Sequence, residues 1–421
     1  MERDTGEFDP MSTLDQQSVA IVGGGQAGFQ TAASLREFGF AGAIQLYCDE
    51  PYLPYQRPPL SKTYLKEDAA PDKVYLRPER FFAEKNIVCR TGTRVAAVDR
   101  AGHTLTLESG EQASWDWLVL ATGVVNRRLP VPGAGLDGVV MLRGIDDALG
   151  IRSRLKASRR IVIVGGGVIG LEVAAVARGA GIDVTLIELG DRLAGRIGST
   201  ALSDYLLQYH RGIGSSVLLN AGVSEIEGRD GKVARVHVSN GDAVECDLVL
   251  VCIGVAPNVE LADAMGLTLE DGIVVDAHMR TVDSQVLAVG DCTRFQPPHG
   301  GLASVRLESV QNAIDQAKCA AETIVGRPRA YDALPWFWSD QGTLKLQIAG
   351  LTTGHDTTVV IADPVKGTMA VYCFADGALI GVECINRPAD FMAARRVLGA
   401  RKIIGVADVE RDGFELKRFM G

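Results

Sequence analysis

Hydrophobic residues along this chain come in short blocks whose spacing alternates between that of strands and that of helices. Residues 19–22 are continuously apolar and end in Gly23-x-Gly25-x-x-Gly28. Behind the glycines, Ala32, Ala33 and Leu35 follow a helical period, and a second apolar run, 43–47, follows that. The order predicts a strand, a tight turn, a helix and a parallel strand. The same pattern returns once. Residues 161–164 lead into Gly165-x-Gly167-x-x-Gly170, a helix through Val176 and a strand at 184–187. Two copies of one strand-turn-helix-strand unit therefore organise the chain.

Elsewhere the period is mostly two. Residues 95–99, 104–107 and 117–121 read as strands closing on Ala121-Thr122-Gly123, and Pro130 and Pro132 mark a passage into another unit. Residues 233–238 alternate. Residues 248–253 then run into Gly254, mirroring the earlier strand and glycine turn as if the chain were crossing back. A buried-strand pattern at 286–290 ends in Gly290-Asp291, and a helix is predicted over 307–324. From Tyr331 the character changes. Strands at 344–349, 358–361, 369–374 and 379–384 precede an amphipathic helix at 389–398. The predicted division is a disordered leader at 1–17, a first nucleotide domain in two segments at 18–121 and 249–325, a second inserted at 122–248, and a C-terminal α+β domain at 326–421. The fold class is α/β.

Composition narrows the setting. With 421 residues, 47% apolar and 23% charged, the chain can bury two or three ordinary cores. A net charge of −9 opposes binding to nucleic acid or an anionic membrane, and no apolar run approaches the length of about eighteen residues that a spanning helix needs. Eight scattered cysteines without C-x-x-C or zinc spacing read as thiols of a reducing cytoplasm, and the six histidines form no metal cluster, so no metal is expected.

Each glycine of the motif has a physical task. The first permits the turn, the second lets the backbone approach a pyrophosphate, and the third lets helix and strand pack closely at a helix N-terminus that offers free N–H groups. Asp49 and Glu50 follow the first unit and Glu188 the second, where a carboxylate can grip a ribose 2′-hydroxyl. Two such sites suit a tightly held flavin and an exchanging nicotinamide. A 2′-phosphate would be repelled by Glu188, which favours NADH, although Arg192 and Arg196 stand close by in sequence. Arg57 and Lys62 are the cations of the proline-rich stretch 51–66, and Lys62 could stabilise charge on a reduced ring; taken alone it reads as an ordinary solvated lysine. Asp291 could hold sugar-alcohol hydroxyls or simply end a βα loop. Residues 56–62 contain no cysteine, so electrons leaving a flavin there have no thiol relay.

The order GGGQAG, PYQRPPLSK, ATG, GGGVIGLE, VLAVGDC, RLESVQNA and PWFWSDQ resembles the FAD-dependent NADH:ferredoxin reductases of bacterial oxygenase systems, over nearly the whole chain from Val19. The resemblance implies a glutathione-reductase-type fold, with two Rossmann-like dinucleotide-binding domains and a C-terminal α+β interface domain. FAD would be bound and NADH would be substrate. Gly23, Gly25, Gly28, Asp49, Glu50, Arg57, Ala121, Thr122, Gly123, Gly290 and Asp291 would serve FAD, and Gly165, Gly167, Gly170, Glu188, Arg196 and Gly254 would serve NADH. Lys62 would pair with Glu172 near the flavin as the catalytic couple, and Trp338 would lie beside the ring. Val310 stands where dioxygenase reductases often have Trp, which places the chain nearer the putidaredoxin reductase-like members. The implied partner is a 2Fe-2S ferredoxin supplying a haem-thiolate monooxygenase or a dioxygenase. Lys66, Arg77, Arg80, Arg294, Arg306, Arg395 and Arg396 are candidates for its docking surface. The alternatives are a rubredoxin reductase and an NADH-dependent redox sensor related to apoptosis-inducing factor.

Overall fold

The computed structural model describes residues 16–299 and 304–420; all but the last two residues of the expected leader lie outside them. The chain divides into two compact units. The first comprises Met1–Gln56, Pro71–Val124 and Pro257–Ala333, the second Arg57–Ala70, Val125–Ala256 and Leu334–Gly421.

In the first unit five parallel strands lie in the order Val286–Ala288, Trp117–Leu120, Ser18–Val22, Ala43–Tyr47, Ile87–Arg90. Their near-continuous apolar runs fit a sheet covered on both faces, and Ile21, Leu46 and Leu118 are fully buried. The helix Gln26–Glu37 packs on Val310–Ile324. That second helix begins three residues later than its apolar pattern predicts. Ser309 ends the extended segment as N-cap, its Oγ accepting from Asn312 N at 3.1 Å, a cap worth about 1 kcal/mol. A small antiparallel sheet, Val95–Asp99, Thr104–Leu107 and Gln112–Ser114, completes the unit.

The second unit repeats the theme with parallel strands Ser216–Leu218, Asp183–Ile187, Arg160–Val164, Leu248–Val251 and Val139–Val140, plus an antiparallel sheet of Val223–Arg229, Lys232–Val238 and Ala243–Glu245. Its C-terminal part is a five-stranded antiparallel sheet in the order Trp336–Gln341, Leu344–Gly350, Ala378–Ile385, Thr368–Ala375, Thr357–Asp363, against which the helix Pro388–Gly399 buries Phe391, Ala394 and Val397. The aromatic stretch at residue 336 is thus the edge strand of that sheet.

The proline-rich segment forms a 3-10 turn, Pro58–Ser61, then one α turn, Thr63–Lys66, with Lys62 between them in a non-helical conformation. This segment groups with the second unit. The helices Ile145–Ala157 and Thr200–Gly212 were not marked by the sequence pattern.

Candidate functional site

In the first glycine turn, Gly23 has φ +121°, and a Cβ there would overlap Ala121 O. A Cβ on Gly28 would overlap Gly23 O, so this glycine is required by the helix crossing its own turn. Gly25 differs. It is the N-cap of Gln26–Glu37, has no side-chain cap, and a Cβ on it would face open space. That combination is a cradle for a diphosphate: free N–H groups at the positive end of a twelve-residue helix, with room for an anion. The turn after Leu120 is fastened within the same unit, Thr122 Oγ1 donating to Asn258 O at 2.6 Å and Asn258 N to Gly123 O at 2.9 Å.

The second turn is a close copy. Gly165 has φ +106° and abuts Cys252 O, Gly170 abuts Gly165 O, and Gly167 is an uncapped N-cap facing open space. Both turns therefore fit dinucleotides, FAD and NADH, by the same test.

The acids differ between the copies. Strand register pairs Val22 with Tyr47 and Val164 with Ile187, so the residue following the pair is Cys48 in the first unit and Glu188 in the second. Asp49 and Glu50 come one and two positions later; Asp49 is exposed, and Glu50 accepts from the Tyr55 hydroxyl at 2.6 Å. Glu188 is held over its turn by backbone donors, Gly166 N at 2.6 Å and Gly190 N at 2.7 Å. Arg192 is committed to its own loop, donating to Gly198 O at 2.6 Å and Gly195 O at 2.8 Å. Arg196 is exposed, its guanidinium beside Gly254.

Lys62 and Glu172 are brought together. Lys62 Nζ lies 2.7 Å from Glu172 Oε2 and donates to Pro58 O at 3.1 Å; the lysine side chain is 16% exposed and the glutamate 3%. Glu172 projects from Val168–Gly179, the helix behind the second glycine turn. Its Oε2 also accepts from Ser61, and its Oε1 accepts from Ser339 at 2.6 Å. Ser339 and Gln341 lie on one face of the strand Trp336–Gln341 and are fully buried, while Trp336 and Trp338 share the other, with ring centroids 5.5 Å apart. Sequence reasoning took Trp338 from the WSDQ motif and missed its Ser339 and Gln341, together with Ser61. The signal was the same motif, read at period two.

Of the remaining candidates, Arg57 donates to Arg143 O at 2.8 Å. Gly290, at φ +83°, donates to Gln316 Oε1 at 2.7 Å and precedes a partly exposed Asp291, and Val310 is the first residue of its helix. Arg306 is 5% exposed between Asp271 and Glu308, and Arg294 faces Glu270 and Asp271, so both cations are neutralised by neighbours. Lys66, Arg77, Arg80 and Arg396 are exposed; Arg395 stacks 4.5 Å over the Trp336 ring. All eight cysteines are free. Among the described residues no group of three or more His, Cys, Asp or Glu is placed to hold a metal, and no helix is long and apolar enough to cross a membrane.

Residues 17–317 match the family model described as pyridine nucleotide-disulphide oxidoreductase, and 336–420 the model described as reductase C-terminal. The chain belongs to the pyridine nucleotide-disulphide oxidoreductases and, within them, to the FAD-dependent ferredoxin reductases. It is 44% identical to rhodocoxin reductase of Rhodococcus erythropolis over 400 residues, covering 95% of this chain and 93% of that protein. It superimposes on the ferredoxin reductase for the CYP199A2 system from Rhodopseudomonas palustris with a TM-score of 0.94 at 41% identity, covering 96% of this chain and 100% of the other. For putidaredoxin reductase in its covalent complex with putidaredoxin the TM-score is 0.92 at 36% identity, with 96% and 98% covered. These relatives are named as reductases, which does not favour the redox-sensor alternative.

Proposed function

We propose that this protein takes reducing equivalents from NADH through FAD and delivers single electrons to a 2Fe-2S ferredoxin that serves a haem-thiolate monooxygenase or a dioxygenase. The observation that carries the reading is the pair of open, uncapped glycine cradles in one chain. FAD, when bound, supplies an acceptor for hydride and a donor of single electrons. Gly25 and the N-terminus of Gln26–Glu37 bind its diphosphate, with Asp49 or Glu50 at the ribose. Gly167 and the N-terminus of Val168–Gly179 bind that of NADH, and Glu188 accepts from its ribose hydroxyls, to which Gly166 and Gly190 already orient it. With FAD bound, Lys62, anchored by Glu172, would supply a fixed positive charge to the flavin, and Trp338 would be the aromatic residue offered to the ring. No side chain has to move a proton for the hydride step. The partner reading draws support from relatives named for the redox proteins they serve, and the ferredoxin from the putidaredoxin complex in particular.

Anaerobic stopped-flow tests the proposal. Mixing with NADH should bleach the flavin band rapidly, and a following pulse of oxidised 2Fe-2S ferredoxin should restore it as the ferredoxin is reduced. Bleaching that persists in the presence of ferredoxin would rule the reading out.

A further inference from the structure

Glu172 is almost fully buried and makes its hydrogen bonds at both oxygens, to Lys62 and Ser61 on one and Ser339 on the other. A carboxylate has no proton to give. The single hydroxyl proton of Ser339 is therefore spent on Oε1, and the Ser339 oxygen is left to accept. It accepts from Gln341 Nε2 at 3.3 Å. This fixes the orientation of the Gln341 amide, whose Oε1 must face the other way, toward His210 Nε2 at 2.9 Å. An amide oxygen cannot donate, so the imidazole proton sits on Nε2.

The far end of the chain agrees. His210 is fully buried on the helix Thr200–Gly212, burial holds its imidazole below the ordinary histidine range, and the neutral ring leaves Nδ1 as a bare lone pair. Nδ1 is buried without a hydrogen-bond partner. An unfilled acceptor is the cheaper defect: the reversed tautomer would strand an N–H donor there. The Tyr209 ring lies perpendicular to the imidazole, with ring centroids 5.4 Å apart. Cys252, near Glu172, is pushed up to about 12 by burial and by that carboxylate, and stays a thiol.

We propose that His210, Gln341 and Ser339 are positioning residues: a one-way hydrogen-bond chain, from His210 through Gln341 and Ser339, ends on Glu172 and fixes it as the carboxylate that anchors Lys62. If Glu172 carried a neutral group that donates to Ser339, the hydroxyl proton of Ser339 would be freed from that residue, and given to Gln341 Oε1 it turns the amide over and sends the imidazole proton to Nδ1. His210 thus reports the charge of a residue it does not touch. The role assigned to Lys62 rests on the reading above; the direction of the chain does not.

The test is nitrogen NMR of the 15N-histidine-labelled holoprotein, with His210 assigned from the resonance lost in His210→Gln. The parent should show a neutral ring protonated at Nε2 throughout pH 6 to 8. Glu172→Gln should invert the tautomer to Nδ1–H, and Glu172→Gln combined with Ser339→Ala should uncouple it. A parent ring protonated at Nδ1 or at both nitrogens, or an unmoved tautomer in Glu172→Gln, overturns the chain. For the positioning role, Ser339→Ala should slow flavin reduction by NADH about tenfold, the worth of one hydrogen bond to a charged group, and displace its pH profile, with Ser339→Thr restoring both. A Ser339→Ala protein with the parent's rate and profile overturns that role, and failure of ferredoxin turnover in the parent would count against the proposed function alone.

Discussion

Lys62 Nζ stands 2.7 Å from Glu172 Oε2, a contact that joins a lysine between two short helical turns to the helix behind the second glycine motif. A cation held this way is positioned by protein atoms with little of its surface in water, which is where a fixed charge is worth most. Lys62→Ala should retain flavin yet slow its reduction by NADH by about a hundredfold, the usual scale for removing one preorganised electrostatic group. Rapid-mixing absorbance reads this directly, and an unchanged fast phase would remove Lys62 from the mechanism.

Under the proposed function Glu188 is the residue that would set coenzyme choice. Each unit charge of a 2′-phosphate at about 4 Å would meet roughly 4 kcal/mol of repulsion at an effective dielectric near 20, before screening. Glu188→Ala should shift the ratio of kcat/KM for NADH over NADPH toward NADPH by about ten- to a hundredfold once screening is allowed for. It should also cost about 1 kcal/mol of stability, because the N–H groups of Gly166 and Gly190 lose their acceptor. Steady-state kinetics with both coenzymes settles the first point and a thermal melt the second.

The two glycines of the first turn should separate binding from folding. Gly25→Ala adds a methyl to open space and should give a folded protein with at least about tenfold weaker FAD affinity, since the methyl intrudes where the diphosphate approaches. Gly28→Ala places a methyl on Gly23 O and should cost about 3 kcal/mol through overpacking. Flavin content after dialysis, set beside the melting temperature of each variant, makes the comparison.

His210 gives a signed dependence on pH. Its folded pKa is depressed by burial, so as pH falls below about 6.5 the unfolded chain takes a proton that the folded chain refuses. Stability from this residue is complete above that pH and declines below it, by at most about 1.4 kcal/mol per pH unit. Between pH 7.5 and 5.5 the melting temperature of the parent should fall more than that of His210→Asn. Parallel slopes would show that His210 does not contribute.

The parts of the fold that were legible in the sequence were those set by local periodicity. Ala43–Tyr47 appears at its expected bounds, because a buried parallel strand is a plain apolar run. The start of Val310–Ile324 was misplaced because Leu307 belongs to the apolar pattern while Ser309 decides where the helix begins. Within the site, the turn geometry of the glycines and the place of Glu188 at its strand end could be read because both are fixed by backbone near in sequence. Ser61, Gln341 and His210 could not: their partners are distant in sequence, and a serine or glutamine in isolation has no pattern. Only the alternation of the WSDQ strand hinted that Ser339 and Gln341 face inward together.

Ser199 caps the helix Thr200–Gly212 and also gives both its N–H, at 2.8 Å, and its hydroxyl, at 2.6 Å, to the buried carboxylate of Glu383; at the other end of that helix His210 bonds Gln341. The segment matched as reductase C-terminal, 336–420, is therefore hydrogen-bonded to both ends of a helix that lies outside it in sequence. Cut free, it would lose the two donors of Ser199 that meet its buried Glu383 side chain. Chimaeras that graft this C-terminal piece from one reductase onto another inherit a mismatch at both ends of Thr200–Gly212 unless that helix travels with it.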